Sequence, residues 1–213
     1  MEPHGSQPTM RAGQSLDSAG AACILVHGRG ADPSDMIGLA QAFNRPGIAY
    51  LAPAAAGNTW YPFSFMSLRE RNEPGISSGL SVIDGLVQQC LEGGIPEKKI
   101  VIGGFSQGAC LSSEFCIRHP RKYGALLAFS GGLIGPPDSK WDDVKADLSS
   151  MQVFLGCSDV DPHIPKERVI ETEHVYARLG ASVVRKLYPG MGHTINGDEL
   201  REAQRILDEV LAA

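Results

Sequence analysis

Residues 100–115 read IVIGGFSQGACLSSEF, an apolar run that halts at two glycines, presents one serine, passes a third glycine and resumes in small residues. A buried strand needs no such interruption, and an ordinary loop does not need three glycines around one hydroxyl. Gly104-Phe105-Ser106-Gln107-Gly108 fits G-x-S-x-G between a strand and a helix. The physical reason for the pattern is crowding. A serine on so sharp a turn has backbone passing close to it, and glycines two residues either side remove the Cβ atoms that would collide. The turn lifts the hydroxyl clear of the sheet and aims the N–H of Gln107 at a bound carbonyl oxygen. The positive end of the new helix favours charge developing there. Ser106 is thus a candidate nucleophile. The plain alternative, a glycine-rich turn with an incidental serine, stands until an acid and a histidine follow in the order such a turn demands.

On either side of this stretch the chain alternates strand and helix. Short apolar runs at 21–26, 48–51, 99–103, 125–129, 152–155 and 182–187 suit strands, most of them buried on both faces. Helical spacing covers 33–44, 77–91, 107–119, 165–179 and 196–211, with Asp32 or Ser34 capping the first and Asn196 and Glu199 forming a cap on the last. The first dozen residues read as an irregular start or a weak edge strand. Residues 131–150 read as loop with one helical turn. This alternation predicts an α/β fold, a mostly parallel twisted sheet with helices on both faces. One domain over 1–213 is expected, because 213 residues suit a single substantial core.

Composition narrows the functional classes. Hydrophobic residues make up 43% and charged residues 20%, with a net charge of −5 and no Lys/Arg cluster, so nothing recommends a nucleic-acid partner or an anionic membrane. No apolar stretch is long enough to span a bilayer. The five cysteines, Cys23, Cys90, Cys110, Cys116 and Cys157, lie in apolar segments without C-x-x-C spacing. They read as free buried thiols, not as a disulfide framework or a metal site. MEPHGSQPTMRAGQ has no apolar core segment, so a cytoplasmic protein without metal or cofactor is expected.

The acid and the histidine do follow. After the strand QVFL comes GCSDVDPHIP, which offers Asp159 and Asp161; after SVVRKL comes YPGMGHTINGDE, which places His193 ahead of the last helix. Ser…Asp…His is the chain order of α/β-hydrolases, and turns at the carboxyl ends of strands are where such sheets bind ligands. His193 would take the serine proton as general base, and an aspartate would fix its tautomer. Among the other histidines, His4 lies in the polar N-terminus, His119 and His174 on helix surfaces, and His27 beside a strand end. His163 is the rival base, but it sits too close in sequence to the candidate acids to reach Ser106. Asp161 is the preferred acid; Asp159 can instead bond the turn's backbone. His27-Gly28-Arg29-Gly30 is the loop from which a second oxyanion donor, the N–H of Arg29, would join that of Gln107. Trp60, Tyr61 and Phe63, in the irregular stretch 54–75, are candidate substrate-binding residues, with Phe65 and Met66 assigned to the core.

HGRGADPSDM, LAPAAAGNTWYPFSF, GGFSQGA, SDVDPHIP and YPGMGH together resemble the phospholipase/carboxylesterase family of small α/β-hydrolases, from about Ile24 to the C-terminus. The HGRG and NTWYPFSF stretches look more like its bacterial carboxylesterases than its acyl-protein thioesterases. The resemblance implies an α/β-hydrolase fold without a large lid, a Ser106–Asp161–His193 triad and an oxyanion hole from Arg29 and Gln107. DPHIP matches the family's acid-bearing stretch, which favours Asp161 over Asp159. Many thioesterase relatives carry leucine where Arg29 stands, which leaves the acyl preference open. Homodimers are common in the family, although this chain displays no interface signal. The implied activity is hydrolysis of small esters of short to medium acyl chain through an acyl-serine. The rivals are a lactone or dienelactone hydrolase, an acyl-thioesterase or lysophospholipase, and a hydrolase fold retained as a binding module.

Overall fold

The computed structural model describes residues 2–213; the expectation of an irregular start falls in part on Met1, which lies outside them. Strands β1 (Thr9–Gly13), β2 (Ala21–Val26), β3 (Ile48–Pro53), β4 (Ile100–Phe105), β5 (Ala125–Phe129), β6 (Gln152–Ser158) and β7 (Ser182–Tyr188) form one sheet in the order β1-β3-β2-β4-β5-β6-β7. Only β1, at the edge, is antiparallel, pairing with β3. The other ladders are parallel. Helices α1 (Pro33–Phe43), α2 (Gly75–Glu92), α3 (Gln107–Arg118), α4 (Lys166–Arg178) and α5 (Gly197–Ala212) cover it.

Side-chain alternation explains the layers. Along β2, Ala22, Ile24 and Val26 face the layer of α2, α3 and α4 and belong to one core cluster with Ile83, Leu111 and Tyr176. Ala21, Cys23 and Leu25 face the other layer, with Met36 and Phe43 of α1 and Ile206 and Leu207 of α5. A strand covered on both sides needs the continuous apolar run AACILV. Asp32 caps α1 by accepting from the amide of Ser34 at 2.7 Å. Asn196 caps α5 as the spacing predicted, with Glu199 returning a bond to the Asn196 amide at 2.8 Å.

Three expectations change. β6 continues to Ser158 because Gly156, Cys157 and Ser158 still pair with Lys186, Leu187 and Tyr188. The helical turn expected in 131–150 does not form. There Arg168 donates to the carbonyls of Leu133, Gly135 and Pro136 at 2.7–2.9 Å, and Arg178 to that of Trp141 at 2.6 Å, so guanidinium groups take acceptors a helix would use. His4 is not in a loose terminus. Buried at 3% exposure, it accepts from the amide of Ala56 through Nδ1 (3.1 Å) and donates from Nε2 to Trp60 O (2.9 Å). Burial pushes its pKa down, which favours this neutral tautomer.

Candidate active site

β4 ends where α3 begins, and Ser106 occupies the corner at φ +55°, a left-handed conformation that costs a non-glycine residue about 1 kcal/mol or more. The surrounding backbone over-determines it. The Ser106 amide donates to Phe129 O at 2.9 Å, and its carbonyl accepts from Cys110 N at 3.0 Å. A Cβ on Gly104 would lie 2.5 Å from Val26 O, and one on Gly108 would lie 2.6 Å from His27 O. The end of β2 thus crosses directly under the turn, and neither glycine can be replaced in place.

His193 Nε2 lies 2.8 Å from Ser106 Oγ, and His193 Nδ1 lies 2.7 Å from Asp161 Oδ2. The Asp161 side chain is fully shielded, whereas His193 is 17% exposed. Burial alone would raise the Asp161 pKa. The hydrogen bond from His193 and those from the amides of His163 (2.8 Å) and Ile164 (3.0 Å) outweigh it and hold the carboxyl below its usual range. An ionised Asp161 fixes the proton on Nδ1 and leaves Nε2 free to accept from the hydroxyl. Two further ties hold the loops in register: Asp159 Oδ1 accepts from the Gly190 amide at 2.8 Å, and Ser158 Oγ donates to Met191 O. Of the rival histidines, His163 stands edge-on to His193 with ring centroids 4.8 Å apart, so it flanks the imidazole and does not replace it. His27 is buried against the backbone, with Nδ1 on Gly28 O (2.8 Å) and Nε2 accepting from Ala55 N (3.1 Å).

A cavity of about 440 Å³ opens beside Ser106. Gly28, Arg29, Gln107, Tyr61, Phe63 and Phe65 are among the residues that line it. The N–H of Gln107 is the first amide of α3 and has no carbonyl a turn earlier to meet. The sequence assignment of Trp60 to the substrate pocket does not hold. Its ring is fully buried between His4 and His27, and Nε1 donates to His27 O at 3.0 Å. Phe65, assigned to the core, is buried and yet lines the cavity.

Sequence reasoning missed how the loop carrying these rings is held. Gln107 grips it with both ends of its amide: Oε1 accepts from Trp60 N at 2.9 Å, and Nε2 donates to Tyr61 O at 2.8 Å. Arg29 Nη2 donates to Tyr61 O (2.9 Å) and Phe63 O (2.7 Å), and Nη1 to Pro62 O (3.0 Å). No local signal reports bonds across more than thirty residues. Cys110 also borders the cavity, where burial pushes its thiol up to about 12 and keeps it protonated. Among the described residues no group of three or more His, Cys, Asp or Glu is arranged to hold a metal ion, and no helix is long and apolar enough to cross a membrane.

The chain as a whole is similar to known proteins. The model of a family described as phospholipase/carboxylesterase matches residues 13–211. A crystallised phospholipase/carboxylesterase from Dyadobacter fermentans superposes with a TM-score of 0.92 and 38% identity, over 97% of this chain and 99% of that one. The acyl-protein thioesterase 1 of Gibberella zeae is 32% identical over 68% of this chain and 62% of its own length. That of Debaryomyces hansenii is 27% identical over 96% of this chain and 97% of its own.

Proposed function

The chain belongs to the phospholipase/carboxylesterase family of ester hydrolases, and we propose that it hydrolyses small carboxylic esters of short to medium acyl chain through an acyl-serine intermediate. The reading rests on one observation, the hydrogen-bonded series Asp161–His193–Ser106 at 2.7 and 2.8 Å beside an apolar cavity. Ser106 Oγ attacks the ester carbonyl while His193 Nε2 takes its proton. Asp161 stabilises the imidazolium. The N–H groups of Arg29 and Gln107 receive the oxyanion. Collapse expels the alcohol with the proton from His193. Water, deprotonated in turn by His193, attacks the acyl-serine; the carboxylic acid leaves as Ser106 Oγ takes back the proton from His193.

The substrate in this reading is a small molecule recognised by the rings of Tyr61, Phe63 and Phe65. The five cysteines are all buried and unpaired, which supports a cytoplasmic setting. The curated relatives favour a second reading, acyl-thioester hydrolysis by the same atoms. Serine rather than cysteine at the elbow speaks against the dienelactone type. Fluorophosphonate labelling at Ser106, lost in Ser106→Ala, tests the nucleophile and the binding-module alternative together. Paired p-nitrophenyl esters, an acyl thioester and a lactone then rank the substrates; a protein that labels nowhere and turns over none of them overturns the proposal.

A further inference from the structure

Arg29 is an exposed arginine whose guanidinium has no carboxylate partner among the described residues, and it spends three donors on main chain instead. The acceptors are the carbonyls of Tyr61, Pro62 and Phe63, three successive residues of an irregular segment, and the planar fork reaches all of them. Those residues, with Ser64, Phe65 and Arg29 itself, border the cavity beside Ser106. Among the described residues no other side chain holds as many carbonyls of this segment, although Asn72 Nδ2 donates to Ser64 O at 2.9 Å. Gln107 shares Tyr61 O, and on the far side Asn72 Oδ1 accepts from Phe63 N at 2.9 Å, with the Arg71 guanidinium over the Phe63 ring at 4.5 Å. Irregular backbone without such bonds would be free to move outward when a bulky group fills the cavity.

We propose that Arg29 is a positioning residue that sets chain-length selectivity: its guanidinium fixes the aromatic wall at Tyr61–Phe63 at a set distance from Ser106, and so sets how long an apolar arm of the ester fits. The inference rests on the ester-hydrolase reading above for its kinetic consequence, but not for its structural one. A short acetyl ester hardly meets the wall, whereas a longer arm packs against it. The backbone N–H of Arg29 is untouched by side-chain substitution, so the oxyanion donor is retained.

The test compares wild type, Arg29→Leu and Arg29→Lys on two series, p-nitrophenyl esters from acetate to octanoate and acetate esters from methyl to hexyl. In one series Arg29→Leu is expected to lower the ratio of kcat/KM for the best long member to that for the acetyl or methyl member by roughly tenfold, chiefly through KM, whatever the change in the short member itself. Arg29→Lys, whose ammonium still donates to carbonyls, should recover part of the difference. Hydrogen exchange of the amides in 60–66, which needs no turnover, should quicken in Arg29→Leu while the thermal midpoint moves little. Uniform loss across both series, an unchanged profile, or unchanged exchange in this segment each overturns the proposal. A wild type that is inert toward every ester but shows faster exchange in Arg29→Leu would sink the functional reading and leave the positioning role standing.

Discussion

Asp159 Oδ1 accepts the Gly190 amide at 2.8 Å, so a carboxylate two residues from the acid of the proposed triad ties its loop to the one carrying His193. Two aspartates that compete in the sequence thus take different work, and the difference is measurable. Asp161→Asn removes the charge that fixes the imidazole tautomer, and kcat is expected to fall by about 10³–10⁴. Asp159→Ala loses one bond to an amide, and should cost on the order of 1 kcal/mol of stability and no more than about tenfold in kcat/KM. Equal kinetic losses would mean the roles are misassigned.

Ser106 holds its left-handed backbone against its own Cβ. Ser106→Gly relieves that conflict and is expected to raise stability by about 1 kcal/mol while abolishing ester hydrolysis. Ser106→Ala keeps the Cβ, so it should lose activity without the gain. Denaturant midpoints for the pair decide the point, and a destabilised glycine variant would refute the strain argument.

Glu199 is fully buried at the start of α5, where Oε2 accepts from Asn196 N while Oε1 has no partner among the described residues. Burial pushes its carboxyl up to about 7 from an ordinary 4.5. The folded state therefore holds this proton more tightly than the unfolded chain does. The stability it contributes is fully present below pH 4.5 and is lost as pH rises to about 7. Glu199→Gln keeps an oxygen for the Asn196 amide and cannot ionise, so above pH 7 it should be more stable than wild type by about 3 kcal/mol. Thermal melts from pH 4.5 to 8 check this; parallel curves for the two proteins would contradict it.

Trp60 and Phe63 should respond in opposite ways. Trp60→Phe leaves His27 O without its indole donor inside the core, at a cost of about 1–3 kcal/mol in stability. Phe63 is 45% exposed at the cavity rim. Phe63→Ala should leave the melting point within a degree or two while raising KM for longer esters by roughly three- to tenfold. A stable Trp60→Phe with altered substrate preference would restore the sequence assignment.

What was legible in the sequence follows a physical divide. AACILV announces a strand covered on both faces, and IVIGGFSQGA announces an elbow, because each obeys a local rule of burial or sterics. The order of Ser106, Asp161 and His193 was readable because the fold restricts which turns lie at one sheet edge. The last three residues of β6 were missed because GCS breaks the apolar run although the ladder to β7 continues. Trp60 was placed in the pocket because a run of aromatics does not say which way each ring turns in irregular backbone. His4, and the side chains of Arg29 and Gln107, act through partners tens of residues away, and spacing is silent about such bonds.

Two loops share a way of being held. Arg29 binds carbonyls 61–63, and Arg168 binds those of Leu133, Gly135 and Pro136. A carbonyl is common to all twenty amino acids, so these anchors make no demand on the side chains beside them. The rim can therefore accept new residues at the exposed positions 63 and 64 while its path persists, whereas the ring of Tyr61 is itself packed in the core. That makes it a natural place to graft altered substrate tastes onto an unchanged frame, whether by mutation over generations or by a library built at those positions.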